Sequence, residues 1–391
     1  MLVRYLFDNY CSFWGHNEFS LEAAHGKIKR RFPDNFVKDP SGCDCLKTAV
    51  IVGENAGGKS NFINSLAYLK DLFSDNSRVC SFPASINAAC TASGGDLSQS
   101  FEIEILPEEG RLYHYHLKID EAGIVSESLT SKCTLRGKEQ PCFAVMRSEG
   151  KGYSIQADVS DTVQSALEYG GKGLGLFITK LAILGDDDAL RVTNWMNESL
   201  SIESLSGDSK SEARRLQDDL KILKDKRYLD IFRMVDYSIC GIEIDEEKPY
   251  SKTLVVRKDA NNCFQKREIS MDSAGVCEFF SWAVQVFRVV YENKVIFADE
   301  MDRVLNPVLS DRVIAYINGI QHRGQFIFST HNVLHLNLTT YMKEQIYFVT
   351  KNKNTLISEL YSLSDFPEVR YETAKIYEFY MKGILGGTAD E

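Results

Sequence analysis

A glycine-rich run near the start of the chain has the residue types that a phosphate-binding loop needs. It fits the P-loop pattern of a glycine, four free positions and Gly-Lys-Ser, and it consists of Gly53, Glu54, Asn55, Ala56, Gly57, Gly58, Lys59 and Ser60. Glycine lets the backbone approach an anion closely, and the N–H groups at a helix N-terminus carry partial positive charge. We expect Gly53, Asn55, Gly57 and Gly58 to surround the phosphates of a nucleotide. Lys59 would reach the β- and γ-phosphates, and the Ser60 hydroxyl would hold Mg²⁺.

Two acids at the end of an apolar run supply the second part of such a site. Residues 295–298 form the run, and Asp299 and Glu300 follow it directly. In P-loop proteins the aspartate at the strand end holds Mg²⁺, and a following glutamate can act as general base toward the attacking water. Two acids after a strand are common at turns, but the P-loop upstream favours a metal-holding Asp299 and a catalytic Glu300.

Two further segments are candidates for phosphate contacts. Ser273 and Gly275 stand just before a long apolar helical pattern, so Ser273 is a candidate helix cap and the turn a candidate anion site. His331 follows the strand-like run 325–330, and a neutral imidazole there can donate a hydrogen bond to phosphate. An ordinary helix cap and an ordinary strand-end histidine are the alternative interpretations.

The segments that must position these residues alternate between strand and helix patterns. A β-branched run at 48–52 leads into the P-loop, and helical spacing of apolar residues follows it. After residue 270 the order helix, strand, helix, strand predicts an α/β fold with a parallel sheet. Because residues of about 160–235 read as helical, we predict a mainly helical lobe at 156–255 inserted into a head formed by residues 1–155 and 256–391.

The spacing of the motifs resembles one class of P-loop proteins. Lys59 and Asp299 lie 240 positions apart (299 − 59), which resembles the ABC ATPases that include the SMC, RecF and OLD families. Residues 272–275, residues 301–307 and His331 resemble the signature motif, the D-loop and the switch histidine of that class. The segments 9–13 and 359–387 resemble the opening and closing segments of its AAA-15 group, with Cys11 in place of a basic residue.

The resemblance implies a P-loop NTPase of the ABC-ATPase type, with a mixed sheet and helices on its faces. It also implies that ATP and Mg²⁺ are enclosed between the P-loop of one subunit and Ser273 and Gly275 of another, in a homodimer or higher homo-oligomer. His331 would sense the γ-phosphate. Many members of the group look like parts of bacterial anti-phage and abortive-infection systems. There, a slow ATPase acts as a sensor or switch that controls a separately encoded nuclease or toxin.

Composition limits the partners and leaves two alternatives open. The formal charge of −10 disfavours DNA as the main ligand, although the basic run at 27–31 could form a local contact. No apolar run approaches the ~18 residues of a membrane span, and scattered cysteines without an export signal favour a cytoplasmic location. The alternatives are a RecF- or SMC-like ATPase of DNA repair or recombination and a nucleotide-dependent scaffold with negligible turnover.

Overall fold

The computed structural model describes most of the chain, in segments separated by gaps. The described residues are 1–24, 26–74, 98–148, 152–157, 163–164, 175–203, 212–301, 306–371 and 376–385. The strands within them are β1 (Leu2–Asp8), β2 (His16–Ser20), β3 (Phe36–Val37), β4 (Cys45–Leu46), β5 (Thr48–Val52), β6 (Gln99–Glu108), β7 (Arg111–Asp120), β8 (Gly123–Lys132), β9 (Gln140–Ser148), β10 (Gly152–Ala157), β11 (Leu200–Glu203), β12 (Ile239–Glu243), β13 (Leu254–Lys258), β14 (Phe264–Glu268), β15 (Val295–Ala298), β16 (Gln325–Thr330), β17 (Ile346–Lys351) and β18 (Ser358–Ser362). The α-helices are α1 (Lys59–Ser74), α2 (Phe177–Ile183), α3 (Asp187–Asn194), α4 (Glu212–Leu223), α5 (Lys226–Phe232), α6 (Pro249–Lys252), α7 (Ala274–Glu292), α8 (Pro307–Gly319) and α9 (Ile376–Met381).

A mainly parallel sheet carries the predicted motifs. Its order is β11-β15-β16-β5-β17-β18, and only β18 runs antiparallel to its neighbour. All five residues of β5 are buried, as expected for a central strand covered on both faces. Ala49 and Ile51 pack on the α1 side, whereas Val50 and Val52 pack on the side of α7 and α8. The predicted α/β fold with a parallel sheet is confirmed.

A second, antiparallel sheet covers the other side of α1. Its order is β10-β9-β8-β7-β6-β1-β2, and β6 and β7 form a hairpin within it. The ring of Phe62 on α1 lies 6.3 Å from the ring of Tyr5 on β1 and 6.3 Å from that of Phe297 on β15. The helix that begins at the P-loop is therefore clamped between the two sheets, which fixes the position of its N-terminus.

The segment predicted as a helical lobe is helical in part, but its described residues also join the main cores. Phe177 of α2 packs with the α1 core, and Tyr228 of α5 packs at 5.6 Å, ring to ring, on Phe280 of α7. Strand β11, which was not predicted, pairs in parallel with β15. Four residues are too few to show a strand period, so the pairing with β15 decides their conformation. The bounds of a helical insertion at 156–255 stay a prediction.

Within the described residues, no helix has the length and hydrophobicity that crossing a membrane would require.

Candidate functional site

The P-loop is pressed against strand β17. It follows the buried end of β5, and α1 begins at its Lys59. A Cβ atom on Gly53 would lie 2.2 Å from the carbonyl oxygen of Val349, so no side chain fits there. Gly58 has φ +122°, a conformation that favours glycine, and a Cβ there would lie 2.5 Å from Ser358 Oγ. The loop therefore takes a shape that larger residues would disrupt, with the helix N-terminus at its end.

A chain of polar contacts ties the loop to the N-terminal turn. The Ser358 hydroxyl donates to the Gly57 carbonyl over 2.6 Å and lies 2.8 Å from the Ser12 hydroxyl. Asn61, in the first turn of α1, donates to Ser12 Oγ over 2.8 Å. Sequence reasoning missed Ser358 and Asn61 as supports of the loop, and the only signal near them was the resemblance of segment 9–13, which contains Ser12.

Lys59 and His331 meet although they are far apart in the sequence. Lys59 Nζ donates to the carbonyl oxygens of Gly53 at 2.7 Å and Glu54 at 2.9 Å. His331 Nδ1 lies 3.3 Å from Lys59 Nζ and 3.1 Å from the Gly53 oxygen. The Nδ1 atom accepts from lysine when it carries no proton and donates to the carbonyl when it carries one. The two hydrogen bonds therefore belong to different tautomers of His331. Either way, the end of β16 lies against the base of the P-loop.

The two acids stand at the end of β15, on the neighbouring strand. The backbone N–H of Asp299 donates to the Glu203 carbonyl on β11 over 3.1 Å. Glu300 has φ +52°, a left-handed conformation that typically costs about 1–3 kcal/mol for a residue with a side chain. The hydroxyl of Ser329 contacts both acids, at 2.5 Å from Asp299 Oδ1 and 2.8 Å from the Glu300 nitrogen. Sequence reasoning did not identify Ser329.

A cavity of about 260 Å³ gathers most of the predicted residues. Its lining consists of Glu54, Asn55, Ala56, Gly58, Lys59, Ser60, Asn61, Glu300, His331 and Lys351. Three predicted residues lie behind that lining, and they are Gly53, Gly57 and Asp299. Lys351 was not predicted, because it reaches the loop only through the pairing of β17 with β5. The cavity is small compared with typical ligand pockets of about 300–1,000 Å³, so part of a nucleotide would extend outside it.

The C-terminal helix α9 also lies beside the loop. Burial, together with the charge of Glu54, raises the pKa of Tyr380 to about 12. The ring of Tyr380 stacks on that of Phe348 in β17, with 5.7 Å between their centroids. The closing segment of the chain is thereby connected to the strand that supports the P-loop.

The candidate signature turn is the start of a helix but lies outside the cavity. Ser273 is the N-cap residue of α7, and its side chain makes no capping hydrogen bond. The backbone N–H groups of Val276 and Cys277 both donate to the Ser273 carbonyl at 3.0 Å. Residues 273–275 are exposed, and neither Ser273 nor Gly275 lines the cavity of its own chain. The predicted helix start is confirmed, whereas the phosphate contact of Ser273 and Gly275 stays a prediction.

The segment that resembles a D-loop falls mostly outside the described residues. Positions 302–305 are not described, and Asn306 beyond them caps α8 by accepting from the Leu309 N–H at 3.0 Å.

Comparisons with known proteins give weak likenesses. The chain matches no protein-family model and no curated protein. Among solved structures it is similar to the SmcHead bound to the C-winged helix domain of ScpA, with 12% identity, a TM-score of 0.47, and coverage of 92% of this chain and 97% of that one.

Two further solved structures are also similar. The SMC head domain from Thermotoga maritima has 14% identity and a TM-score of 0.40, covering 92% of this chain and 98% of that one. An Smc head domain derived from Pyrococcus furiosus, with an extended coiled coil and bound to the C-terminal domain of ScpA, has 11% identity and a TM-score of 0.44, covering 98% and 99%. At such values, function has to be argued from the site itself.

Proposed function

We propose that this chain is an ABC-type ATPase that binds ATP with Mg²⁺ and hydrolyses it. The observation that carries the proposal is the cavity in which the P-loop residues Lys59 and Ser60 meet Glu300 and His331. These residues come from both halves of the chain, so their meeting is not a consequence of local sequence. The Val349 carbonyl excludes a side chain at Gly53, so β17 fixes the backbone where the P-loop begins.

The chemistry would be an in-line displacement at the γ-phosphorus. Water adds its oxygen to the phosphorus, the bond to the oxygen bridging the β- and γ-phosphates breaks, and ADP and phosphate result. Glu300 takes the proton of the attacking water, and Lys59 and His331 contact the γ-phosphate. Ser60 and Asp299 offer the oxygen ligands that Mg²⁺ prefers, and the bound metal would neutralise charge on the β- and γ-phosphates.

We further propose that a second copy of the chain closes the site. Supporting this, the cavity of about 260 Å³ leaves part of a nucleotide outside it. The Ser273 hydroxyl makes no capping bond, and residues 273–275 are exposed at the start of the 19-residue helix α7. In the dimer, Ser273 and Gly275 of one protomer would contact the γ-phosphate that the other protomer holds.

Trapping the ATP-bound form tests both parts of the proposal. Glu300→Gln removes the proton acceptor but keeps the size of the side chain, so ATP should persist and hold the dimer together. Light scattering with Mg²⁺ and ATP should then give about twice the mass of the 44.2 kDa chain. The matched control is Lys59→Ala, which should bind ATP poorly and keep the monomer mass. A Glu300→Gln protein that stays monomeric refutes the dimer, and a Lys59→Ala protein with full ATP affinity refutes the nucleotide site.

For the output of the switch, we propose control of a separately encoded nuclease or toxin in anti-phage defence. This step rests on the sequence resemblance alone. If it holds, an effector encoded beside this chain should co-purify with the Glu300→Gln protein in ATP and not with Lys59→Ala. An effector bound equally by both variants would mean that nucleotide does not control it.

DNA binding of the RecF or SMC kind is the alternative output. It draws some support from the 3₁₀ helix Lys27–Arg30, which carries three basic residues in its last turn and no acidic residue in its first. Against it, Lys29 is already paired with Asp44 at 2.6 Å, and the chain has a net charge of −10. Tight DNA binding that needs ATP and weakens steeply with salt would favour this alternative over the effector.

A further inference from the structure

The hydroxyl of Ser329 joins the two acids at the end of β15. Ser329 is fully buried in β16, and its oxygen lies 2.5 Å from Asp299 Oδ1 and 2.8 Å from the backbone nitrogen of Glu300. A backbone N–H can only donate, so the serine oxygen accepts from Glu300. The single hydroxyl proton is then left for the Asp299 carboxylate. The two partners therefore fix the orientation of the hydroxyl.

The backbone at Glu300 depends on its surroundings for its shape. Its φ of +52° is disfavoured for a residue with a Cβ atom, and such a conformation persists where neighbouring structure holds it. The hydrogen bond to Ser329 ties this turn to the neighbouring strand. Because Glu300 lines the cavity, the turn also decides where the proposed general base lies.

We propose that Ser329 is a positioning residue that holds Asp299 and Glu300 as one unit. The inference rests on the proposed function, in which Asp299 holds Mg²⁺ and Glu300 accepts a proton from water. A hydrogen bond to Oδ1 restrains rotation of the Asp299 carboxylate and leaves its other oxygen for the metal. Ser329 does not line the cavity, so it would act through the two acids and not by touching ATP.

A buried hydroxyl at a strand end can also have a purely structural role, and Ser65 provides the matched control. Ser65 on α1 is fully buried, donates to the Phe62 carbonyl at 2.7 Å and accepts from the Tyr5 hydroxyl at 3.0 Å. Ser65→Ala thus deletes the same atom, with one donor and one acceptor partner, without touching either acid. Its effect measures what losing any buried serine hydroxyl does to the protein.

The experiment measures ATP affinity by calorimetry, once with Mg²⁺ and once with EDTA. In Ser329→Ala the gain in affinity that Mg²⁺ provides should shrink by roughly 10-fold or more, as when a hydrogen-bond partner of a metal ligand is lost. Affinity in EDTA should stay at the wild-type value. Ser329→Cys should be intermediate, because a thiol is a weaker donor. Ser65→Ala should match the wild type in both conditions, and single-turnover rates should follow the same order.

Two results would overturn the inference: an undiminished Mg²⁺ gain in Ser329→Ala, or an equal loss in Ser65→Ala. If Ser329→Ala does not fold, Ser329→Cys is combined with Asp299→Asn. The cysteine should then cause no further loss of the Mg²⁺ gain, and an additive loss contradicts action through Asp299. Failure of the proposed function looks different, because the wild type itself would then show no ATP affinity that depends on Lys59.

Discussion

The N-termini of α1 and α7 are chemically alike but differ in how much protein surrounds them. At α1, Gly53 and Gly58 are both crowded, by the carbonyl of Val349 and by the side chain of Ser358. At α7, a Cβ atom on Gly275 would meet nothing within 4 Å. The start of α1 is enclosed by residues of its own chain, among them Val349 and Ser358, and we call this enclosure the cage. The start of α7 is open to solvent and to other molecules. This difference is what a site divided between two copies of one chain requires.

A third helix start is closed by a carboxyl group of the chain itself. At α2, the carboxyl oxygens of Glu127 accept from the backbone N–H groups of Phe177 and Ile178, both at 2.8 Å, and from the Tyr115 hydroxyl at 3.1 Å. Here the helix N-terminus is closed by a buried side chain. The N-termini of the three helices thus lie in a cage, at an open surface and against a buried carboxyl group of the chain itself, so the third is already occupied.

Replacing Gly53 or Gly275 with alanine should give the largest difference between the two helix starts. Gly53→Ala places a Cβ within 2.2 Å of a backbone carbonyl, so the loop must move and ATP affinity should fall at least ~1,000-fold, about 4 kcal/mol. Gly275→Ala has free space around it, so the monomer should fold and bind ATP normally while dimer formation with ATP weakens. Calorimetry and light scattering on both variants make the comparison. Normal dimerisation of Gly275→Ala would remove the open helix start from the proposed interface.

The buried carboxyl group of Glu127 at the start of α2 should make stability depend on pH in an unusual direction. Burial raises the pKa of Glu127 to about 7 from 4.5, so between these values the folded protein holds a proton that the unfolded chain has released. The contribution of Glu127 is therefore greatest below pH 4.5 and is lost as pH rises to 7. The total loss is about 3 kcal/mol, at 1.36 kcal/mol per pH unit.

Glu127→Gln isolates that contribution, because a carboxamide does not titrate. Urea unfolding from pH 4.5 to 7.5 should show a decline in the wild type that is absent, or much shallower, in the variant. The other titrating groups are common to both proteins, so the difference between the two curves belongs to Glu127. Parallel curves would mean that the carboxyl group keeps its ordinary pKa, and the contrast between the start of α2 and the starts of α1 and α7 would then weaken.

The sequence revealed the ligand side of the site much better than its supports. Lys59, Ser60, Glu300 and His331 follow from motifs whose chemistry constrains residue type at each position, and the cavity brings them together. Ser329 and Lys351 carry no such signal. They lie near the site only because β16 pairs with β15 and β17 pairs with β5. A local sequence pattern does not predict which distant strands pair.

The same limit explains the edge of the main sheet. Strand β11 has four residues inside a segment of helical pattern, and its conformation comes from pairing with β15. The central strand β5 was predictable because its five residues are β-branched or apolar and buried on both faces. Long or fully buried elements can be predicted from the sequence pattern, whereas the conformation of a short edge element depends on the strand with which it pairs.

A smaller difference in ATP affinity and dimerisation should distinguish Ser60, at the start of α1, from Ser273, at the start of α7. Ser60→Ala removes a proposed metal ligand, so ATP affinity in Mg²⁺ should fall about 10-fold even in the monomer, the size of a lost charge-assisted hydrogen bond. Ser273→Ala should leave monomer affinity unchanged and reduce ATP-driven dimerisation by a similar factor. Calorimetry below the dimerisation concentration, followed by light scattering above it, distinguishes the two. Reduced monomer affinity in Ser273→Ala would place that serine at its own P-loop and contradict the divided site.

The smallest expected effect concerns Lys351, at the rim of the cage. It is exposed and lines the cavity from the end of β17, so its ammonium group should attract the phosphates as an exposed, solvated ion pair. Lys351→Ala should weaken ATP binding about 5-fold, near the 1 kcal/mol of an exposed ion pair. Because exposed pairs are screened, the loss should shrink at high salt.

Lys353→Ala is the matched control, since Lys353 is also exposed, lies two residues further along and does not line the cavity. Lys351→Arg should retain the affinity of the wild type. Equal effects of Lys351→Ala and Lys353→Ala would show that only the general charge of this edge matters, and the cage would then end at the P-loop and His331.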